Sequence, residues 1–557
     1  MLIIFELVEN KFVFTYHILG SLLPFFFILL NKLFLVNNLN DFIITVLVLF
    51  LCLASTASLD AQIHVRADRN MATYEVGELM NFQVTSVDSG QVSYIIRRDN
   101  HAPILEKGSF YLEAGQTYNI PFSHDEPSFL LCYVNQGASS DRAGIAISPY
   151  QIQPVEREPS DFDAFWEEQK EEMRSIVSNP QLTPHSTNNY NDTYKLVMDH
   201  IDDRKVYGYI SIPKGEGPFP AFLVMPSFGG GANHVSPGNN ESAQTNAIVI
   251  TLSIHNADPE IGDPDRYEPN DISTREGNYY RYGLMAGVRC IDYLFTRDDF
   301  DKQNLGVMGV SQGGGLSLIM AGLDTRIKML VYSVPALCQH NGLRYDRTSG
   351  HPYFIFNSRT RVGTPEHEQS TSDAIRYYDA INFAKRYKGP SMFFLSYEDH
   401  VCPPGTGMAA NNLMTGGPKI IKHSRETVHE TPDYQIKRYD AIRNFMPATQ
   451  GANGAISTDV GYDIITTADS YTTTVGSPVT LTSAVTLEDK VVDLSSDWEK
   501  LVGPGKAIFS TPTSSTTTIS FDQPGTYTLK YNATDDRYIE ETNRWVTIHN
   551  FITITVE

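Results

Sequence analysis

The chain has 557 residues, of which 41% are hydrophobic and 19% charged, an ordinary globular balance with ample apolar material for cores. Its formal net charge of −22 argues against nucleic-acid binding and against docking on anionic lipid, because both need clustered Lys and Arg. At roughly 150 residues per domain the length allows three or four domains.

Two apolar stretches open the chain, Phe12 to Val36 and Phe42 to Ala57, and the second runs into small residues and Asp60-Ala61-Gln62. An apolar run ending in small residues is the pattern of a secretory leader, with cleavage expected near Ala57 or Ala61. The first stretch is either upstream of the true start or a retained membrane anchor. A single leader over residues 1–61 fits the globular texture after Gln62 and is the expectation, giving a secreted or periplasmic protein. Of the five cysteines, Cys52 lies in the leader, and Cys132, Cys290, Cys338 and Cys402 show no metal-ligand spacing. They cannot be paired from sequence, most of them are expected to be buried free thiols, and no metal or cofactor is expected.

Residues 62–152 hold short alternating segments such as Met80-Asn81-Phe82-Gln83-Val84 and Val92-Ser93-Tyr94-Ile95-Ile96, punctuated by turns, which predicts a small β-sandwich. At Pro159 to Glu168 the texture changes, and Ser160 or Asp161 can cap a helix running to about Ile176. Three strand-like runs follow at Val206–Ile212, Ala221–Met225 and Ala247–Leu252. The last two are almost wholly apolar, as strands buried on both faces are. The first alternates and is expected at a sheet edge. A helical pattern at Tyr282–Leu294 and continued alternation of strand and helix give one α/β domain over residues 153–448, a mostly parallel sheet covered by helices. Residues 450–455 read as a linker. From 455 to 557, frequent Thr and Ser with strands such as Val479-Thr480-Leu481 and Tyr527–Tyr531 predict a second β-sandwich.

Chemistry is concentrated at Gly309-Val310-Ser311-Gln312-Gly313, between an apolar strand and the helix from Leu316 to Gly322. A serine hydroxyl is a weak nucleophile and needs exposure and an adjacent base. A tight strand-to-helix turn exposes it, and glycines on both sides prevent clashes there. The helix N-terminus also aims the Gln312 backbone N–H where an oxyanion would develop. A bare GxSxG arises by chance in roughly one chain in five of this length, so its partners decide its weight. A triad on such a fold follows the order serine, acid, histidine. Asp399 ends the apolar run Phe393–Tyr397, with Glu398 as rival, and His429 sits on a strand-to-helix loop, with His400 and His423 as competitors. A second oxyanion donor is expected from the small-residue loop Met225-Pro226-Ser227-Phe228-Gly229-Gly230-Gly231.

Four ordered stretches carry a resemblance to the acetyl xylan esterase and cephalosporin C deacetylase family of α/β hydrolases: Pro159–Trp166, Gly309–Leu318, Asp399–Thr406 and His429-Glu430. The Tyr279-Tyr280-Arg281 cluster is similar to the family as well. The resemblance covers Pro159 to Phe445 and implies an α/β hydrolase with Ser311 as nucleophile, His429 as base and Asp399 as its orienting acid. It implies oxyanion donors at the Phe228 and Gln312 backbone N–H groups. Two departures stand out. Ile254-His255-Asn256 replaces the family's Arg-Gly-Gln, which puts the family's hexamer and its usual substrate in doubt. Phe228 also replaces a common Tyr. The C-terminal module is similar to the PKD-like immunoglobulin-type modules of exported bacterial proteins through Trp498, Gly503-Pro504-Gly505 and Asp522–Tyr531.

The function expected is an exported serine esterase that removes O-acetyl groups from polysaccharide or oligosaccharide. The alternatives are a peptidase or lactone hydrolase on the same fold, and a non-catalytic polysaccharide-binding surface protein. The two β-modules offer surfaces for contact with polysaccharide or the cell surface.

Overall fold

The computed structural model describes residues 4–8, 11–15 and 63–557, apart from 70–71, 100, 230–234, 262–270, 416–418, 426, 431–454, 458–461, 488–489, 492–493, 503 and 540–543. The expected leader at Phe42–Ala57, the loop glycines Gly230 and Gly231, a helix over Ile436–Phe445 and residues 450–454 of the linker fall outside the described residues. The chain divides into two compact units, 1–62 and 63–557. In the first, Ile4–Val8 pairs antiparallel with Lys11–Thr15. Among the described residues no helix is long and apolar enough to cross a membrane.

The second unit is organised by a nine-stranded sheet. Its strands are β1 (Gln181–Thr187), β2 (Asn191–Asp199), β3 (Lys205–Pro213), β4 (Phe219–Val224), β5 (Ile248–Leu252), β6 (Phe300–Val310), β7 (Met329–Ser333), β8 (Ser391–Ser396) and β9 (Lys419–Ser424). Their spatial order is β1-β2-β3-β5-β4-β6-β7-β8-β9. From β5 to β9 every pairing is parallel, while β1, β2 and β3 join antiparallel.

The almost continuous apolar runs now have a physical cause. Successive side chains in a strand point to opposite faces, and in this sheet both faces are dry. Leu223, Ile250, Val307 and Leu330 join one apolar cluster; Phe222, Val249, Met308 and Val331 join another. Strand β3 was expected at an edge and is internal instead, paired to both β2 and β5. The edge belongs to β1, whose seven residues are all exposed. A polar hairpin arm with no apolar face carries no alternation to announce it.

Helix α1 (Phe162–Ser175) begins where the sequence change predicts, but the Asp161 side chain does not cap it. Its carboxylate accepts from the Tyr377 hydroxyl at 2.5 Å and from Arg275 Nη1 at 2.6 Å. Phe162, Phe165 and Trp166 are buried among Tyr377, Tyr378 and Phe383, and the Trp166 indole N–H donates to the Tyr377 carbonyl at 3.1 Å. The aromatic motif of α1 is therefore a packing device.

Before α1 lie two groups of strands, antiparallel except where Thr73–Tyr74 pairs parallel with Ser139–Ile147. Ile63–Ala67, Met80–Ser86 and Thr117–Phe122 form one sheet; Thr73–Tyr74, Ser139–Ile147, Ser128–Gln136, Gly90–Arg97 and Ile104–Leu112 form the other. The strand Met80–Ser86 alternates buried and half-exposed positions throughout, as its sequence does. After β9 come a six-stranded and a four-stranded sheet, with Val479–Leu487 in the first and Gly525–Ile539 in the second. Trp498, Phe521, Tyr527 and Leu529 are buried between them. Cys132, Cys290, Cys338 and Cys402 are buried free thiols.

Replacing Trp166 by Ala removes a buried indole and leaves the Tyr377 carbonyl without its donor. A loss of about 3–5 kcal/mol of stability is expected, visible as a lower urea midpoint than that of the parent chain.

Candidate active site

Strand β6 ends at Val310 and helix α4 (Gln312–Leu323), which follows α2 (Asn239–Thr245) and α3 (Tyr280–Thr296) in the chain, begins two residues later, so Ser311 alone must reverse the chain. It takes φ 59° and ψ −120°, a conformation that side-chain-bearing residues rarely adopt. Two contacts make the turn possible. A Cβ at Gly309 would lie 2.3 Å from the Gly313 carbonyl oxygen, and one at Gly313 would lie 2.3 Å from that of Met225. The Ser311 N–H donates to the Ser333 carbonyl at 2.9 Å, which ties the turn to β7.

The three residues expected to form a triad come together. Ser311 Oγ lies 2.8 Å from His429 Nε2, and His429 Nδ1 lies 2.8 Å from Asp399 Oδ2. With Nδ1–H donating to the carboxylate, Nε2 is left to accept the serine proton. Asp399 is fully buried, and its Oδ1 accepts from the Val401 N–H at 2.9 Å and the Cys402 N–H at 2.8 Å. Those donors keep an ionised carboxylate tolerable inside the protein. The loop carrying His429 is fastened to the end of β8: Ser396 Oγ lies 2.9 Å from Thr427 Oγ1 and also donates to the Glu430 carbonyl.

The rival groups are committed elsewhere. Glu398 Oε2 accepts from Arg142 Nε at 3.3 Å, and His423 Nδ1 lies 2.9 Å from the Tyr397 hydroxyl. His400 Nδ1 lies 3.5 Å from Arg142 Nη1.

Gln312 starts α4, and its side chain is fully buried. The amide Nε2 donates to the Ser227 carbonyl at 3.3 Å, and Oε1 accepts from the Tyr280 hydroxyl at 2.8 Å. Ser227 Oγ in turn donates to the Val310 carbonyl at 3.1 Å. The loop after β4 is thereby pinned to the serine turn, with Phe228 as its next residue. The Phe228 ring is 54% exposed and meets the His351 ring edge to face, with centroids 5.0 Å apart. Phe228 and His351 line a cavity of about 400 Å³ together with Ile272, Tyr280, Phe354 and Arg361.

Three residues of this surround were not singled out for it from sequence. His255, in the segment that departs from the family motif, is buried, and its Nε2–H donates to the Gly229 carbonyl at 3.1 Å. Its Nδ1 is hydrogen-bonded by the Tyr279 hydroxyl, which lies 2.6 Å from the Ile254 carbonyl as well. Tyr280, one residue on, reaches Gln312; the tyrosine pair was visible as a motif, but its two targets were not. His351 is pushed down to about 4 by burial and by its nearness to His429. It is neutral at neutral pH and adds no cation beside the His429 ring. No local pattern in the sequence marks it.

The model of the acetyl xylan esterase (AXE1) family matches residues 147–255 and 269–446. The acetyl esterase Axe7A of Xylanibacter ruminicola is 31% identical over 363 residues, covering 61% of this chain and 81% of that protein. Among solved structures, an acetyl xylan esterase from Paenibacillus sp. R4 is 26% identical, with a TM-score of 0.48 over 54% of this chain and 98% of that one. Acetyl xylan esterase 1 from Thermoanaerobacterium sp. JW/SL YS485 is 23% identical, with a TM-score of 0.46 over the same shares of each chain, 54% and 98%. The matched segments include Ser311, Asp399 and His429 and take in more than half of the 557 residues. The chain belongs to the acetyl xylan esterase family.

Proposed function

We propose that the protein is an exported serine esterase that removes acetyl groups from the hydroxyls of polysaccharides or oligosaccharides. The observation that carries this reading is the unbroken hydrogen-bond chain Ser311–His429–Asp399, with both links at 2.8 Å. Ser311 Oγ attacks the acetyl carbonyl while His429 Nε2 takes its proton. The oxyanion that forms is stabilised by the backbone N–H groups of Gln312 and Phe228. His429 then returns the proton to the departing sugar oxygen, leaving an acetyl-serine. Water, deprotonated by the same imidazole, attacks the acetyl-serine and releases acetate and free Ser311. Asp399 stays ionised throughout and holds the ring in its working tautomer.

Export is supported by the apolar run Phe42–Ala57 ending in small residues. The paired sheets before α1 and after β9 are read as immunoglobulin-like sandwiches, over residues 62–152 and 455–557, flanking an α/β hydrolase over 153–448. The family's hexamer is not proposed for this chain, because Ile254-His255-Asn256 stands where the family has its assembly motif.

Ser311→Ala should abolish acetate release from 4-nitrophenyl acetate and from acetylated xylo-oligosaccharides; a rate close to that of the parent chain would refute the assignment. Asp399→Asn, which keeps the shape and forces the wrong tautomer, is expected to lower kcat about 10⁴-fold, measured on 4-nitrophenyl acetate. Loss of the His255 contact frees the Gly229 carbonyl and the loop that presents Phe228. A buried hydrogen bond of this kind is worth about 1–3 kcal/mol when broken. His255→Phe should therefore lower kcat by about tenfold or more with little change in KM, as initial-rate kinetics would show.

A further inference from the structure

The five-stranded sheet before α1 has two unlike faces. Ile96, Cys132, Val134 and Ala143 point into the core. Ile95, Arg97, Tyr133, Asn135, Ser140 and Arg142 alternate with them and face the other way. Strand register gathers these residues: Ile95 is opposite Tyr133, Tyr133 is opposite Arg142, and Asn135 is opposite Ser140. Residues directly opposite on neighbouring strands share a face. The result is a groove of about 550 Å³, closed on its far side by Glu398 and Val428.

Those two closing residues give the groove its meaning. Glu398 immediately precedes Asp399, and Val428 immediately precedes His429. The Arg142–Glu398 ion pair, at 3.3 Å, fastens the sheet face to the loop that carries Asp399. The groove therefore ends against the chain neighbours of Asp399 and His429, and the cavity lined by Phe228 and His351 is a separate space. Its strands lie almost wholly ahead of residue 147, where the family match begins.

The chemistry of the lining selects a ligand class. Arg142 is paired with Glu398 at 3.3 Å and the Arg97 guanidinium donates to the Ala102 carbonyl at 3.2 Å, so the groove is not a cluster of cations that would recruit a polyanion. It offers instead a phenol ring, an amide, a hydroxyl and paired charges, a mixed set of donors and acceptors around one aromatic plane. A pyranose presents just such a pair of surfaces, an apolar ring face and a rim of hydroxyls that both donate and accept. The volume lies in the range of sites that hold drug-sized ligands, enough for a short run of sugar rings.

We infer that this groove is a glycan-binding subsite, in which the sheet before α1 holds neutral sugar units of the polysaccharide main chain next to the acetylated unit at Ser311. The inference rests on the deacetylase reading and deepens it: the enzyme discriminates in favour of long acetylated chains.

The test has a binding arm and a kinetic arm. In the full-length chain carrying Ser311→Ala, calorimetry should detect xylohexaose. Tyr133→Ala, and independently Asn135→Trp, which fills the groove from an exposed position, should each weaken that binding at least fivefold. With Ser311 intact, the ratio of kcat/KM on acetylated xylo-oligosaccharides to that on 4-nitrophenyl acetate should fall at least fivefold in both variants. Absence of xylohexaose binding, or binding and ratio unaltered by both variants, overturns the subsite. A parent enzyme that cleaves 4-nitrophenyl acetate but releases no acetate from the oligosaccharides would instead sink the deacetylase reading, and the binding arm still decides the groove.

Discussion

The site depends on one backbone conformation, that of Ser311. At φ 59° the residue leaves β6 and enters α4 without an intervening loop, which lifts its hydroxyl off the end of the sheet. The strain this stores must be held by its surroundings. Three constraints hold it: the Ser311 N–H bonded to β7, the Gly309–Gly313 contact, and the approach of Gly313 to the Met225 carbonyl. The last also sets the spacing between the serine turn and the loop after β4. The conformation that exposes the Ser311 hydroxyl thus fixes where the loop carrying Phe228 can stand.

Around that turn, electrostatic order comes from burial and from hydrogen bonds working against each other. The buried Asp399 carboxylate is held by two backbone N–H groups and the imidazole, the hydrogen bonds a buried polar group needs. At His351 nothing comparable opposes burial, so the ring stays neutral beside His429. A second cation there would disfavour an imidazolium at His429. Glu398 is kept out of the site by Arg142, so one carboxylate, and not two, faces the base.

Sequence made some of this legible and hid the rest, for reasons that differ by residue. The elbow was readable because its parts are adjacent in the chain and each glycine answers a local steric demand. Asp399 and His429 were readable by order, since each lies in the loop that follows a strand of the sheet. The roles of His255 and Tyr280 were not readable, because they act on Gly229 and Gln312 across 26 and 32 residues, and a lone ring in a loop or at a helix start announces no target. Asp161 misled in the opposite direction. It stands where a cap belongs, but Tyr377 and Arg275, folded back from over a hundred residues away, compete for its carboxylate and win. The hairpin β1–β2 displaced β3 from the edge for a similar reason. A strand exposed along its whole length leaves no apolar period to detect.

Parallel pairing explains why so many distant residues meet. In a parallel sheet all carboxyl ends lie on one side, and ligands gather there. The Phe228 loop follows β4, His255 follows β5, Ser311 follows β6, Asp399 follows β8 and His429 follows β9. The antiparallel strands β1 to β3 widen the sheet but supply none of these groups. The sheet before α1 reaches the same side by another route, through Arg142 and the residue next to Asp399. A module almost wholly ahead of the family match is therefore joined to the loop that carries Asp399 through one ion pair.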